Sequence, residues 1–274
     1  MKKHGSLLLL TVVILMQLAV YSCRTVPVSG RRQVALLPES MLVNMSLTSY
    51  NDFLANHNLS ADPVQTQMIK NVGTRISGAV EDYLRDQNLE SRIQNFQWEF
   101  NLVQDDAVNA WAMPGGKIVF YTGILPVTRT EAGAAVVMGH EIAHVVAQHG
   151  NERMSQQLIV QTGGLALAVA LRERPEETKN MFLAAYGAGS AIGVILPYSR
   201  AHEREADRLG LIFMAMAGYN PEEAVTFWER MENLSGGGAP PEFLSTHPSS
   251  ASRIRDMKNF LPEAMKYYRP HGGL

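Results

Sequence analysis

The chain has 274 residues, of which 46% are hydrophobic and 18% are charged, and its net formal charge is −2. This composition is typical of a folded globular protein and excludes a disordered or collagen-like chain. The near balance of 24 basic and 26 acidic residues provides no positive field for a polyanion, so we expect no nucleic-acid partner. A single cysteine excludes an internal disulfide and a thiolate zinc cluster, so a metal would be bound by histidine and carboxylate side chains.

The N-terminal segment has the layout of a bacterial lipoprotein signal. Two lysines precede a short apolar stretch that ends at the only cysteine, Cys23, which would become the lipid attachment point. The alternative is a plain transmembrane anchor, for which about 20 apolar residues suffice. We predict a signal peptide over residues 1–22 and lipidation of Cys23. Because Arg24 follows the cysteine, the predicted location is the bacterial cell envelope, on the outer membrane facing the periplasm.

Three segments are predicted along the chain: the signal peptide 1–22, a tether over 23–38, and one domain over 39–274. The tether carries Pro and Gly without periodicity and implies no fold. The domain opens with apolar residues at helical spacing over Glu39–Asn58 and Pro63–Leu84, which predicts two amphipathic helices.

A small sheet is predicted between residues 96 and 122. Alternating apolar residues from Phe96 to Leu102 indicate one strand, and Lys117–Tyr121 has a β-rich composition after a Pro-Gly-Gly turn. The helix that follows, capped by Thr128 or Thr130, is apolar on nearly every face, so we expect it to be buried until it ends at Gly150.

Two long apolar stretches, Leu158–Leu171 and Met181–Pro197, can form either a membrane hairpin or buried helices. Their lengths of 14 and 17 residues and their internal glycines favour helices that pack in the core or cover the active site. Later helices are predicted over Ser199–Ala217, after Asn220 and over Ser250–Leu261.

The motif that carries chemistry is His140-Glu141-Ile142-Ala143-His144, inside the buried helix. Four residues advance an α-helix by about 400°, so the two imidazoles share a face and can bind one cation, while Glu141 can reach a water molecule beside them. The alternative is a pair of solvated histidines on an amphipathic helix. The apolar flanks disfavour that alternative, because buried imidazoles need polar partners.

A catalytic zinc site needs a third protein ligand and an open position. His149 is excluded because, nine residues after the first histidine, it would lie about 180° away on the same helix. Glu203 and Asp207 are four residues apart and share a helix face, so one could bind the metal and the other could orient a ligating histidine. The small residues Ala206 and Gly210 would let this helix approach the first one closely. The alternative is a solvated charged face.

His247 and Arg253 form a third polar group, in a segment that opens with Ser-Thr-His-Pro. They could stabilise the oxyanion that forms when water adds to a carbonyl group. Alternatively, His247 could occupy the open position of the metal and keep the protein latent, or it could be a turn residue before a helix.

The segments HEIAH, SRAHEREAD and STHPSSASR, in this order, resemble the CAAX prenyl protease and HtpX group of zinc metallopeptidases, peptidase family M forty-eight, of the gluzincin type. In layout the chain is similar to the lipoprotein and Oma-type members. The resemblance covers about residues 109–254 and implies an α+β, predominantly helical, zincin-like metallopeptidase domain, with a small sheet packed beside the HExxH helix. It implies one Zn2+ per chain bound by His140, His144 and Glu203, with Glu141 as general base, Asp207 holding a ligating histidine, and His247 with Arg253 as transition-state helpers.

The same resemblance assigns a substrate-binding role to Asn109, Ala110 and Trp111, which precede the Pro-Gly-Gly turn. They would form an edge strand to which an extended peptide adds by main-chain hydrogen bonds. The implied activity is that of a membrane-anchored zinc endopeptidase. Its partners would be unfolded or misassembled envelope proteins and the membrane, through the N-terminal lipid.

Two other functions stay open at this point. The first is a zinc-stabilised chaperone or assembly factor that binds envelope proteins without cleaving them. The second is a structural lipoprotein that binds no metal. The sequence carries no indication of the oligomeric state.

Overall fold

The computed structural model describes residues 23–234, 241–248 and 251–270. The predicted signal peptide lies outside the described residues. Within them the protein is predominantly helical with one small three-stranded sheet, which confirms the α+β prediction. In chain order the elements are β1 (Cys23–Thr25), β2 (Arg32–Val34), α1 (Glu39–Ala55), α2 (Pro63–Asp86), β3 (Glu99–Val103), β4 (Ala110–Met113), β5 (Lys117–Tyr121), α3 (Leu125–Thr128), α4 (Glu131–Val146), α5 (His149–Ala170), α6 (Glu176–Ser190), α7 (Leu196–Met216), α8 (Glu223–Leu234), α9 (Glu242–Thr246) and α10 (Ala251–Ala264).

The chain divides into two compact units. Of the described residues, the smaller unit comprises 23–38 and Asn151–Pro197, and the larger unit comprises Glu39–Gly150 and those from Tyr198 onward. All the predicted metal-binding and catalytic residues belong to the larger unit, which we call the catalytic unit.

In the smaller unit, the segment predicted as a tether contains two antiparallel strands. β1 pairs with β2 so that Cys23 lies opposite Val34. The guanidinium of Arg31 donates to both carboxylate oxygens of Glu152, at 3.0 and 2.7 Å, and the amide of Asn151 donates to the carbonyl of Leu37. The 23–38 segment is therefore folded onto the start of α5, although its lack of periodicity predicted no structure.

The two apolar stretches of the smaller unit lie in α5 and in the α6–α7 run, and the prediction that they pack in a core is wrong. Leu165 is 69% exposed and Ile192 is 70% exposed. No residue of α6 is buried. A short π-helical segment, Ala191–Ile195, joins α6 to α7, so that one continuous helical run extends from Glu176 to Met216.

The sheet of the catalytic unit has the strand order β3-β5-β4, with β3 parallel and β4 antiparallel to the central strand. All five residues of β5 are buried. Helix α2 packs against β3, where the ring of Phe100 lies on Gly73. Helix α4 packs against both α2 and β4. The sheet therefore lies beside the HExxH helix, as predicted.

Helix α4 begins after a capping threonine and ends before a left-handed residue. The hydroxyl of Thr130 accepts a hydrogen bond from the Gly133 amide at 3.0 Å, which identifies Thr130 as the N-cap. The helix ends at Val146, four residues before the predicted end at Gly150, because Gln148 adopts a left-handed conformation with φ of 54°. A new helix, α5, then begins at His149.

Candidate metal centre

The two histidines of the HExxH motif lie side by side on α4. Their Nε2 atoms are 3.1 Å apart. His140 is buried and His144 is partly exposed. The helical spacing alone places both rings on one face, as the sequence predicts.

Glu203, on α7, faces these two rings. Its Oε2 atom lies 3.4 Å from His140 Nε2, and its Oε1 atom lies 3.5 Å from His144 Nε2. Two segments about 60 residues apart in the sequence therefore present a carboxylate and two imidazoles to one point. The structure brings together the three residues that the family resemblance assigns as ligands.

His247 joins the same group from the segment after α9. Its Nδ1 atom lies 3.0 Å from Glu203 Oε2 and 3.2 Å from His140 Nε2. Counting one ligand atom from each of His140, His144, Glu203 and His247, all four atoms lie within 4.8 Å of one another. We call these four residues the His–Glu cluster. It could hold a metal ion.

The donor set and its unpaired atoms fit a zinc ion. Three imidazoles and a carboxylate are ligands that zinc prefers, and four of them complete a tetrahedron. Among the described residues, the buried oxygens Glu203 Oε1 and Glu141 Oε1 have no hydrogen-bond partner. Buried polar atoms without a partner are uncommon and costly, and a cation at the cluster would satisfy the Glu203 oxygen.

The electrostatics of the His–Glu cluster favour the metal-binding protonation states of His144 and Glu203, but not that of His140. Burial lowers the pKa of His144 well below its usual value, so its imidazole is neutral and keeps a lone pair. Burial alone would raise the pKa of Glu203, but the nearby His247 and His140 lower it well below the ordinary range. Glu203 is therefore an ionised carboxylate and His144 a neutral imidazole, as a metal site requires. Burial would lower the pKa of His140, but Asp207 and Glu203 raise it to about 9, so a bound cation would have to displace a proton from this ring.

Glu141 lies beside the cluster in a position to exchange protons with water. It is buried, and its Oε1 atom is 3.5 Å from His247 Nε2. Burial raises its pKa, whereas the charges of His247 and His140 and a hydrogen bond from the Ala112 amide oppose that shift. A carboxylate with a raised pKa is a better proton acceptor near neutral pH.

Asp207 and Arg253 lie behind the cluster and hold it in place. Asp207 Oδ1 is 3.2 Å from His140 Nδ1, so this carboxylate orients the ligating ring from its far side. Arg253 donates to both oxygens of Asp207 at 2.7 Å and also bonds the carbonyl of Pro248 at 2.8 Å. Its guanidinium also stacks over Trp228, 4.4 Å from the ring centre.

These contacts change the role that we assign to Arg253. The resemblance implied a transition-state helper, which must reach the substrate. Arg253 is 5% exposed, and its donors are engaged with Asp207 and with main-chain carbonyls. We therefore describe it as a positioning residue. Burial would lower the pKa of Arg253, but the charge of Asp207 raises it, so the guanidinium stays charged.

The predicted substrate-binding residues are at the edge of the sheet, because β4 is a terminal strand in the order β3-β5-β4. Their side chains point to other partners. The Asn109 amide donates to Glu242 at 3.0 Å, and Trp111 packs edge-on against Phe53. The Tyr121 amide donates to Asn109 O, and alternation along an antiparallel pair then turns the main chain of Ala110 and Ala112 away from β5. Ala110 is fully buried and its amide donates to Asn109 Oδ1, so Ala112 is the more open of the two.

Sequence reasoning missed Ala112 and a buried polar network beside His144. His149 Nδ1 lies 2.9 Å from His144 Nδ1, and His149 Nε2 lies 3.0 Å from Glu205 Oε2. The ring of His149 also stacks on His202, with centroids 4.4 Å apart. The continuous helix from which His149 was excluded as a ligand does not exist, because the chain turns at Gln148 and a new helix begins at His149. Glutamine has no strong turn preference, so the sequence carries no signal for the break at residue 148.

Comparison with known proteins gives relatives in fungi and bacteria. The chain is 38% identical over 175 residues to "Mitochondrial metalloendopeptidase OMA1" of Schizosaccharomyces pombe, which covers 64% of this chain and 50% of the relative. It is 30% identical over 250 residues to the protein of the same name from Saccharomyces cerevisiae, covering 88% of this chain and 70% of the relative. It is also 30% identical over 217 residues to "Putative beta-barrel assembly-enhancing protease" of Vibrio cholerae, covering 76% of this chain and 41% of the relative. The chain thus spans between about two fifths and 70% of these relatives.

The predicted location on a bacterial outer membrane is contradicted by these comparisons. The two fungal relatives, at 38% and 30% identity, are both named as mitochondrial proteins. The lipidation of Cys23 stays a prediction, since only the main chain of this residue is described.

A family model, Peptidase family M48, matches residues 73–261. The matched range contains the His–Glu cluster, Glu141, the pair formed by Asp207 and Arg253, and the edge strand β4. It covers more than half of the chain, and the side chains that give the family motifs their chemistry converge in space. The chain therefore belongs to Peptidase family M48.

Proposed function

We propose that this protein is a zinc-dependent metalloendopeptidase that hydrolyses peptide bonds in extended or misfolded protein segments. The observation that carries the proposal is the convergence of His140, His144 and Glu203 with the proton acceptor Glu141 beside them. Family membership supports the same conclusion, because relatives that match this chain are named metalloendopeptidases.

In this proposal, one zinc ion per chain is held by His140, His144 and Glu203. When bound, zinc polarises the scissile carbonyl group and acidifies a water molecule. Glu141 accepts the proton of the attacking water and then delivers it to the leaving amine, so no covalent intermediate is needed. Asp207 fixes the ring of His140 throughout, and Arg253 fixes Asp207.

The substrate is proposed to bind as an extra strand on β4. The carbonyl of Ala112 would accept a hydrogen bond from an extended peptide, while the amides of Ala110 and Ala112 are already bonded to Asn109 Oδ1 and to the Glu141 carboxylate. Main-chain pairing reads little sequence, so the expected specificity is broad and favours unfolded segments. Misfolded or misassembled membrane proteins are the proposed substrates, because one relative is named a beta-barrel assembly-enhancing protease and others are mitochondrial metalloendopeptidases.

A second candidate function follows from the position of His247. With this residue the cluster has four protein ligands, which is the arrangement of structural zinc sites; catalytic sites keep one position open. A closed site would fit a zinc-stabilised factor that binds unfolded proteins without cleaving them. The two functions differ in whether Glu141 is needed.

The test compares cleavage of casein, an unfolded protein, by the wild type and by Glu141→Gln. We expect Glu141→Gln to retain zinc and to lose hydrolysis by at least 100-fold, since general base catalysis contributes about 10²–10⁴-fold. Glu232→Gln, on the exposed face of α8, makes the same chemical change away from the site and should cleave casein at the wild-type rate. If Glu141→Gln cleaves as fast as the wild type, the peptidase assignment fails. If it restores function in cells that lack the protein, the non-cleaving factor is favoured.

A further inference from the structure

Two long uncharged stretches, most of them in the smaller unit, are largely exposed and have no role in the proposed reaction. Residues 154–171 and 180–199 contain 18 and 20 residues without a charged side chain. They form most of α5 and the N-terminal part of the α6–α7 run. We call these two stretches, with the connection between them, the apolar hairpin.

The second stretch is apolar on every side and yet exposed. A helix that is apolar all round belongs either in the core of a large protein or in a membrane. In the helical run Glu176–Met216, the most apolar 18-residue window has a mean hydropathy of 1.5, and none of it is buried. By length and composition, this is the one helix among the described residues that could cross a membrane.

A helix that lies flat on a membrane surface needs a charged or strongly polar face. Between Asn180 and Ser199 no such face exists, while Met181, Phe182 and Ile192 are 62%, 48% and 70% exposed. At 1.5 Å per residue, 20 residues reach about 30 Å, the thickness of the hydrocarbon layer. These properties favour insertion over surface binding.

The contact between the two arms also suits a medium without water. The arms touch through the ring of Tyr186, whose hydroxyl lies against Gly163, where a side chain would displace it. The hydroxyl of Tyr186 donates to the carbonyl of Val160 at 2.9 Å, and that of Ser190 donates to the carbonyl of Gly187 at 3.0 Å. These polar groups are therefore satisfied inside the hairpin, as the hydrocarbon interior requires.

Charged residues are confined to the connection between the arms. Residues 172–179 contain three basic and three acidic side chains, and Lys179 pairs with Glu176 at 2.7 Å. This eight-residue connection would lie at the headgroup level. The first arm is the less apolar of the two, because Gln156, Gln157 and Gln161 interrupt it. Ser155 and Gln156 are buried and the Ser155 hydroxyl accepts from the Leu36 amide, so the part of this arm offered to lipid begins at Leu158.

We propose that the apolar hairpin inserts into the hydrocarbon region of a lipid bilayer, as a membrane attachment separate from the N-terminal segment. The proposal concerns residues outside the metal centre and does not depend on the peptidase activity. A second copy of the chain, or residues 1–22, could in principle cover the same surface, and the experiment separates these occupants from lipid.

The experiment uses the full chain with Cys23→Ser, so that one new cysteine can carry an environment-sensitive NBD fluorophore. Leu165→Cys and Ile192→Cys label the two arms, and Val64→Cys, 76% exposed on α2, is the matched control. Each protein is reconstituted into phosphatidylcholine vesicles, with or without lipids that carry a doxyl quencher on the acyl chain. Because all three positions are exposed, none of the substitutions removes a core contact.

We expect blue-shifted emission, several-fold brighter than the control, at both Leu165→Cys and Ile192→Cys, and strong quenching by the doxyl lipids. Val64→Cys should show neither effect. Emission at both arms equal to that of the control would overturn the proposal. So would blue-shifted emission that doxyl lipids do not quench, because the hairpin would then be covered by protein, either a second copy or the N-terminal segment.

Discussion

Gly139 and Gly210 lie in direct main-chain contact where α4 and α7 cross. A Cβ atom on Gly139 would lie 2.8 Å from the carbonyl oxygen of Gly210, and one on Gly210 would lie 2.9 Å from the amide nitrogen of His140. Both distances are shorter than real Cβ contacts, and both neighbours are main-chain atoms that cannot rotate away. This contact brings Glu203 within reach of the two imidazoles.

The first prediction concerns this crossing. We expect Gly210→Ala to push α7 away from α4, lowering the free energy of unfolding by about 1–3 kcal/mol and the zinc affinity at least tenfold. Gly78→Ala is the control, because its Cβ meets no atom within 4 Å on α2, and it should stabilise the protein by up to about 1 kcal/mol. Urea unfolding and zinc titration measure both effects. Wild-type zinc affinity in Gly210→Ala would show that the close crossing does not position Glu203.

The second prediction concerns His247. Its Nδ1 atom lies among the ligand atoms, so we expect it to compete with water for the fourth position of the metal. His247→Ala should then raise the basal rate of casein cleavage several-fold. The control is His57→Ala, which removes an exposed histidine just after α1 and should leave the rate unchanged. A rate that falls in His247→Ala would instead assign this residue to the transition state.

The third prediction concerns the buried pair formed by Asp207 and Arg253. Asp207→Asn leaves the guanidinium of Arg253 buried without its main counter-charge, which typically costs about 3–5 kcal/mol. We expect the low end of that range, because Arg253 Nη1 is also 3.3 Å from Glu203 Oε2. The double variant Asp207→Asn/Arg253→Met removes the unpaired charge and should recover part of the loss. Unfolding midpoints in urea measure the series, and a loss below 1 kcal/mol in the single variant would show that the pair does not hold the site together.

The fourth prediction concerns His149, which bonds the outer nitrogen of His144. Partners of this kind set the orientation and tautomer of a ligating ring, and their loss typically lowers metal affinity 10–100-fold. His149→Phe keeps the stacking on His202 but removes both hydrogen bonds, so we expect a loss of zinc affinity in this range. The same substitution at His57 should have no effect. Unchanged zinc affinity in His149→Phe would mean that His144 needs no support from this side.

The relative placement of side chains within one helix could be predicted because it depends on local spacing, whereas the ligand role of Glu203 rests on the family resemblance. The HExxH spacing fixes His140 and His144 relative to each other, and the four-residue interval does the same for Glu203 and Asp207. The small residue Gly210 indicated that the two helices could approach closely, and the structure confirms that contact. In each case one helical turn contains the information.

Other features depend on contacts that spacing does not encode. The break at Gln148, which moves His149 to the far side of His144, is a single left-handed residue with no sequence signal. Arg253 and Asp207 form an ion pair because α10 lies next to α7 in the folded chain, and no spacing along the sequence encodes that neighbourhood. Composition also does not separate a core helix from an exposed apolar one, so the exposure of the two apolar stretches could not be predicted.

The zinc content of purified protein tests the central claim most directly, because that claim is the binding of one ion by side chains from two distant segments. Elemental analysis should find one zinc per chain in the wild type and in Glu141→Gln, and a loss of most of the metal in Glu203→Gln. Absence of zinc from the wild type, or full zinc occupancy in Glu203→Gln, would contradict the assignment.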